Sequence, residues 1–186
     1  MARPLSEDAR TKMLRAAQAI ISADGLDACT VDEVARCSGV AKTTIYRHFG
    51  NADELGIAAI DDMIEEVATP DHGSLRADLR SIVLGFRGVV GHDTFRQVFA
   101  SMLGRAARDP EFAKIFAQTQ EMRHEPLRIA IQRGIARGEV DPEIGVETAM
   151  YFVQGPFVAK RLIELVDFTD REVDVFLDLV IKALSP

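Results

Sequence analysis

Between Cys37 and Gly50 the chain carries Lys42, Arg47 and His48 and not one carboxylate. Thr43, Thr44 and Tyr46 lie among them, and Val40, Ile45 and Phe49 recur at helical spacing as the positions that would face a core. The outward types suit one chemistry. Lys and Arg neutralise phosphate or address guanine edges, Thr touches a thymine methyl or donates to phosphate, and a Tyr hydroxyl reaches backbone oxygens. A helix face that merely meets water would carry some Glu or Asp. The whole chain holds 22 Lys and Arg against 29 Asp and Glu, a formal charge of −7 that taken alone argues against nucleic acid. Charges beyond about 8–10 Å are largely screened at cellular salt, however, and residues 1–50 are slightly basic, with seven Lys or Arg against six acids.

Short helices must position that face. Ser6 is placed to cap a first helix with Glu7 and Asp8 in its first turn, Met13, Ala17, Ile20 and Ile21 on one side and Gly25 as its stop. Thr30-Val31-Asp32-Glu33 has the form of a capping box, with Glu33 expected to reach back to the Thr30 amide. Ser38-Gly39 breaks the second helix, and residues 40–49 form a third that ends at Gly50. Two short helices joined by a tight Gly turn are a helix-turn-helix, whose second helix enters the major groove. Asn51-x-x-Glu54 then opens a longer helix with Ile57, Ile60, Ile64 and Val67 on one face.

Thr30-Val31-Asp32-Glu33-Val34-Ala35, Gly39-Val40, Thr44-Ile45-Tyr46-Arg47-His48-Phe49 and Asp53-Glu54-Leu55 together resemble the tetracycline-repressor (TetR) family of transcriptional regulators, over roughly residues 10–57. The resemblance implies an all-α homodimer of about nine helices per chain. Its parts would be a three-helix DNA-binding domain over 1–50, a connecting helix over 51–68, and an inducer-binding and dimerising domain over 69–186. It implies DNA contacts from Thr30, Lys42, Thr43, Thr44, Tyr46, Arg47 and His48. Many members have a Lys at the start of the fourth helix, where this chain has Ala52.

Beyond residue 68, periodicity and punctuation take over. Thr69–Gly73 reads as a loop, Ser74 as the cap of a fifth helix running toward Gly91, and Phe95 to Leu103 as a sixth. Asp109-Pro110 starts a seventh, with Pro126 as a kink or break and Gly138 as its close. Asp141-Pro142 opens an eighth through about Val166, and Asp170 a ninth. Val146, Met150, Val153 and Phe157 on the eighth, with Val173, Phe176, Leu177 and Val180 on the ninth, form stripes expected to pair with their mates in a four-helix dimer interface. Phe86, Phe95, Phe99, Met102, Phe116, Met122 and Tyr151, with Gln154 as a polar handle, are candidates to line a pocket for a hydrophobic or aromatic inducer.

Other chemistries find less support. Glu121-x-x-His124 is one half of a di-metal bundle motif that needs two copies, and no Glu stands three residues before His48, His72 or His92. Gly85-x-x-Gly88-x-x-Gly91 follows no strand, and Asp61, Asp62, Glu65 and Glu66 read as a solvated helix face. There is no Gly-x-Ser-x-Gly elbow and no phosphate-binding loop ending in Gly-Lys-Ser/Thr. Cys29 and Cys37 are expected to be free buried thiols, with no metal site and no cofactor. Apolar runs are too short to span a bilayer and the amino terminus lacks a signal sequence, so the expected location is cytoplasmic, without membrane contact. The expected function is a ligand-released repressor of double-stranded operator DNA. The alternatives are a constitutive DNA-binding protein and an all-α metal-dependent enzyme.

Overall fold

The structure, a computed structural model, describes residues 7–63, 69–90 and 93–186, with every side chain among them except those of 7, 87–90, 93–95 and 162. All regular structure among the described residues is helical. The helices are α1 (Glu7–Asp24), α2 (Val31–Ser38), α3 (Lys42–Phe49), α4 (Ala52–Met63), α5 (Leu75–Val90), α6 (Asp93–Ala106), α7 (Pro110–Ala136), α8 (Val146–Leu162) and α9 (Asp170–Leu184). Single 3-10 turns occupy Leu26–Ala28 and Pro142–Ile144. The expected cap at Ser6, the positions Ile64 and Val67, the acids Glu65 and Glu66, and the stop at Gly91 fall outside the described residues.

These residues form two compact units, one drawn from Met1–Glu65 with Gln97–Thr119, the other from Glu66–Arg96 with Gln120–Pro186. In the first, α2 and α3 are eight residues each, too short to persist alone, and their stability comes from what they bury. Val31 and Val34 of α2 and Ile45 and Phe49 of α3 join Met13, Ala17 and Ile21 of α1 and Leu55 and Ile60 of α4 in the core. Gly56 of α4 is the close approach: a Cβ there would stand 2.9 Å from Leu26 Cδ1. The end of α6 and the start of α7 contribute Met102 and Phe112, both fully buried, with Phe116 between the rings of Phe99 (5.9 Å) and Phe112 (6.4 Å).

The second unit packs Leu75, Leu79 and Ile82 of α5 and Leu127 and Ile131 of α7 against α8 and α9. Met150, Val153, Val173, Leu177 and Val180 are no more than 1% exposed within this one chain. The expectation that they face a second subunit is therefore corrected, because they have no surface left to give. Val146, Phe157 and Phe176 are partly buried against the same core.

Local chemistry explains the other differences. Helix α7 runs through Pro126, at the cost of one N–H to the Met122 carbonyl. The eighth helix starts at Val146 and not at Pro142, because Gly145 at φ 76 and ψ 152 lies outside helical space. Helix α9 is capped by Thr169, whose hydroxyl accepts from the Glu172 amide while the Glu172 carboxylate accepts from the Thr169 amide at 2.8 Å. Cys29 is buried as expected, whereas Cys37 is exposed, on the outer side of α2.

Candidate nucleic-acid interface

Thr30 opens α2 in extended conformation, and its hydroxyl accepts from the Glu33 amide at 3.2 Å. The other half of the expected capping box does not form. The Glu33 carboxylate turns to the Arg36 guanidinium, which holds it below the usual glutamate range, and the Thr30 amide donates to the Ala28 carbonyl at 2.9 Å. Gly39 then ends α2 in the left-handed region (φ 71, ψ 9), its amide donating to the Ala35 carbonyl. After this turn α3 starts at Lys42.

With Ile45 and Phe49 buried, the rest of α3 must look outward. Lys42, Thr43, Tyr46, Arg47 and His48 are exposed, and Thr44 is half-buried. Tyr46 keeps 52% of its surface open. Arg47 and His48 have no ion-pair partner among the described residues, so the Arg47 charge is free for a polyanion and the His48 ring nitrogens are open to a hydrogen bond. Lys42 differs, because α2 brings Asp32 to it, with Nζ 2.8 Å from Oδ1. Asp32 is ten residues away in sequence, and no local spacing signals this contact.

Asn51 caps α4, its Oδ1 accepting from the Glu54 amide at 2.8 Å, and Asp53 follows in the first turn. Arg105 of α6 reaches Asp53 at 2.6 Å, approaches Asp27 at 3.7 Å and lies over the Phe112 ring at 4.7 Å. This side chain, which sequence reasoning missed, ties the α6–α7 corner to the start of α4 within the first unit. Burial, with Asp53 as a second cause, pushes the Cys29 thiol up to about 11, so it stays protonated at neutral pH.

The pocket candidates divide between the units. Phe99, Met102 and Phe116 belong to the first; Phe86, Phe95, Met122, Tyr151 and Gln154 belong to the second. The Phe95 side chain is outside the described residues, and Phe86 and Gln154 are half-buried. Met122 and Tyr151 are 67% and 63% exposed within this one chain. Gln120, not foreseen, has a buried Nε2 with no hydrogen-bond partner among the described residues. Glu121 and Glu125 both pair with Arg128, at 2.5 and 2.9 Å.

A Gly turn between two short helices, the second presenting cations and hydroxyls outward, defines a helix-turn-helix DNA-binding protein. Residues 13–59 match the family of bacterial regulatory proteins of the tetR type, and residues 69–180 match the tetracyclin repressor-like C-terminal domain. The chain belongs to the TetR family of transcriptional regulators. It is 27% identical to the HTH-type transcriptional regulator YdeS of Bacillus subtilis (strain 168), over 98% of this chain and 91% of that one. Among solved structures it is similar to the TetR family regulator SCO0332, with a TM-score of 0.75 at 24% identity, covering 97% of this chain and all of that one. It is also similar to the regulator FadR of Bacillus subtilis, solved in complex with stearoyl-CoA, with a TM-score of 0.68 at 18% identity over 94% and 98% of the two chains. Among the described residues no helix is long and apolar enough to cross a membrane.

Proposed function

We propose that the protein is a cytoplasmic repressor that binds a palindromic operator as a homodimer and is released by a small, largely apolar inducer. The observation that carries the DNA half is the outward face of α3. Lys42, Thr43, Thr44, Tyr46, Arg47 and His48 would read the groove and its phosphates, with Thr30 at the backbone. We divide the chain for this purpose into a reading domain over 1–50, a connecting helix over 51–68, and a dimerising and inducer-binding domain over 69–186.

Dimerisation is supported by the second face of α8 and α9. Tyr151, Phe152 and Val158 on α8, and Val175 and Leu179 on α9, are each at least 47% exposed on helices whose other face is core. Phe168, Arg171, Glu172, Val175, Phe176 and Leu179 line a shallow groove there. A helix that is apolar on two faces needs two partners, and a second copy of the chain is the simplest.

The Gln120 amide supports a ligand, because a buried donor without a partner is rare in a native interior and a bound acceptor oxygen would satisfy it. An apolar inducer carrying one such oxygen fits best, and FadR, a neighbour in fold, holds a long acyl chain of its own. The inducer acts only through its differential affinity for the operator-fitting and non-fitting states, with α4 as the lever between the inducer and the reading helices.

Selection of random duplex DNA by the purified protein tests the reading. Enrichment of a palindrome bound by two subunits, with affinity falling steeply as salt rises, is the expected result. No enrichment by folded, ligand-free protein would overturn it.

A further inference from the structure

Of the outward cationic and titratable side chains on α3, Lys42 alone is met by a carboxylate among the described residues, that of Asp32 at 2.8 Å. The two side chains keep 54% and 73% of their surface open to water, so the pair contributes little to folding stability and supports nothing buried. Asp32 stands in the first turn of α2, two residues after Thr30, and the first helix of a helix-turn-helix is the one that crosses the DNA backbone. A carboxylate oxygen 2.8 Å from an ammonium takes the place that a phosphate oxygen would occupy.

Resting on the reading of α3 as the DNA-contacting helix, we propose that Asp32 is a built-in phosphate surrogate. It holds Lys42 in the free protein and in loosely docked complexes. It yields Lys42 only where α3 is seated so that a phosphate oxygen can replace it. In a loose complex on DNA of arbitrary sequence Lys42 stays neutralised, and one fewer phosphate per subunit is countered. On the operator the seated geometry supplies the phosphate, and Asp32, already well exposed, returns to water at little cost. Asp32 thus weakens sequence-independent binding more than operator binding, which makes it a specificity-determining residue that touches no base.

The test titrates wild-type protein, Asp32→Asn, Lys42→Met and the double variant against a selected operator and a scrambled duplex at several salt concentrations. Asp32→Asn is expected to bind the scrambled duplex about two- to fivefold tighter, the range that loss of one exposed competing pair allows. Its plot of log affinity against log salt is expected to steepen there by about 0.9 per bound subunit. Operator affinity should change less, with its slope unchanged, so the ratio of operator to scrambled affinity falls. Asp32→Ser should repeat the shift, and neither change should have any effect in the Lys42→Met background. Equal affinities and slopes for wild type and Asp32→Asn would overturn the inference. So would an equal gain on both duplexes, which is plain long-range repulsion, or a gain that persists without Lys42. Wild-type protein that enriches no duplex at all would instead overturn the DNA-binding reading itself, and the inference with it.

Discussion

Arg47 and Lys42 share the outward side of α3 but not the same surroundings, since Lys42 is held by Asp32 and Arg47 has no ion-pair partner among the described residues. Arg47 is therefore the cation whose removal disturbs nothing inside the protein. Arg47→Ala is expected to weaken operator binding by about 1–3 kcal/mol if the guanidinium addresses a guanine edge, or to lower the salt slope by about 0.9 per subunit if it meets a phosphate. The melting temperature should stay within about a degree of wild type in both cases, as for surface substitutions generally. Fluorescence anisotropy with the selected operator, beside a thermal melt, checks both outcomes. A large fall in melting temperature would mean that the side chain is structural.

At the scale of elements, turns and caps decide where the reading helix sits. Gly39 has φ 71, and a Cβ placed on it would meet nothing within 4 Å, so the cost of Gly39→Ala is one of backbone alone. That cost is about 1–2 kcal/mol, and chemical denaturation should show it, with Gly39→Asn falling between Ala and wild type. Helix α9 offers a pH test. The Lys160 ammonium, followed by the amide and hydroxyl of Thr169, holds the Glu172 carboxyl down at about 2. Its native value lies below its unfolded one, so its contribution is complete above the ordinary glutamate range near pH 4.5 and is lost as pH falls toward 2. A native-state carboxyl titration by NMR should place Glu172 well below the ordinary glutamate value of 4.5. Glu172→Gln should remove that part of the acid destabilisation seen in thermal melts between pH 5 and 2.

For the molecule as a whole, α9 carries two kinds of apolar residue, one facing its own core and one facing out. Leu177 is fully buried in the chain's own core, whereas Leu179, two positions on, is 61% exposed. Leu177→Ala should destabilise the fold by about 2–5 kcal/mol. Leu179→Glu should leave the fold intact and, if the proposed dimer forms through this face, yield monomer in sedimentation equilibrium, with operator affinity falling as the second reading helix is lost. A Leu179→Glu protein that remains dimeric would place the interface elsewhere. Arg105 acts at this scale as well, because it belongs to the stretch matched by the C-terminal family domain yet pairs with Asp53 beside the reading helices.

By itself the sequence determined the all-helical class, the Gly39 turn and the outward side chains of α3. These depend on interactions within about four residues: caps, left-handed glycines, and the apolar period that buries Ile45 and Phe49. The Thr169-x-x-Glu172 cap has the same local form, but sequence reasoning missed it in favour of Asp170 beside it as the start signal. What lay beyond that range was decided by the tertiary structure. Periodicity shows that Val173, Phe176, Leu177 and Val180 share a stripe, but not whether the stripe meets its own core or another subunit, since burial in either looks the same in sequence. The pocket candidates scattered for the same reason, with Met122 and Tyr151 turned outward and Gln120 turned in. The partners of Lys42 and Arg105 are ion pairs between separate helices, and an ion pair has no period: only the packing of one helix against another brings its two charges together.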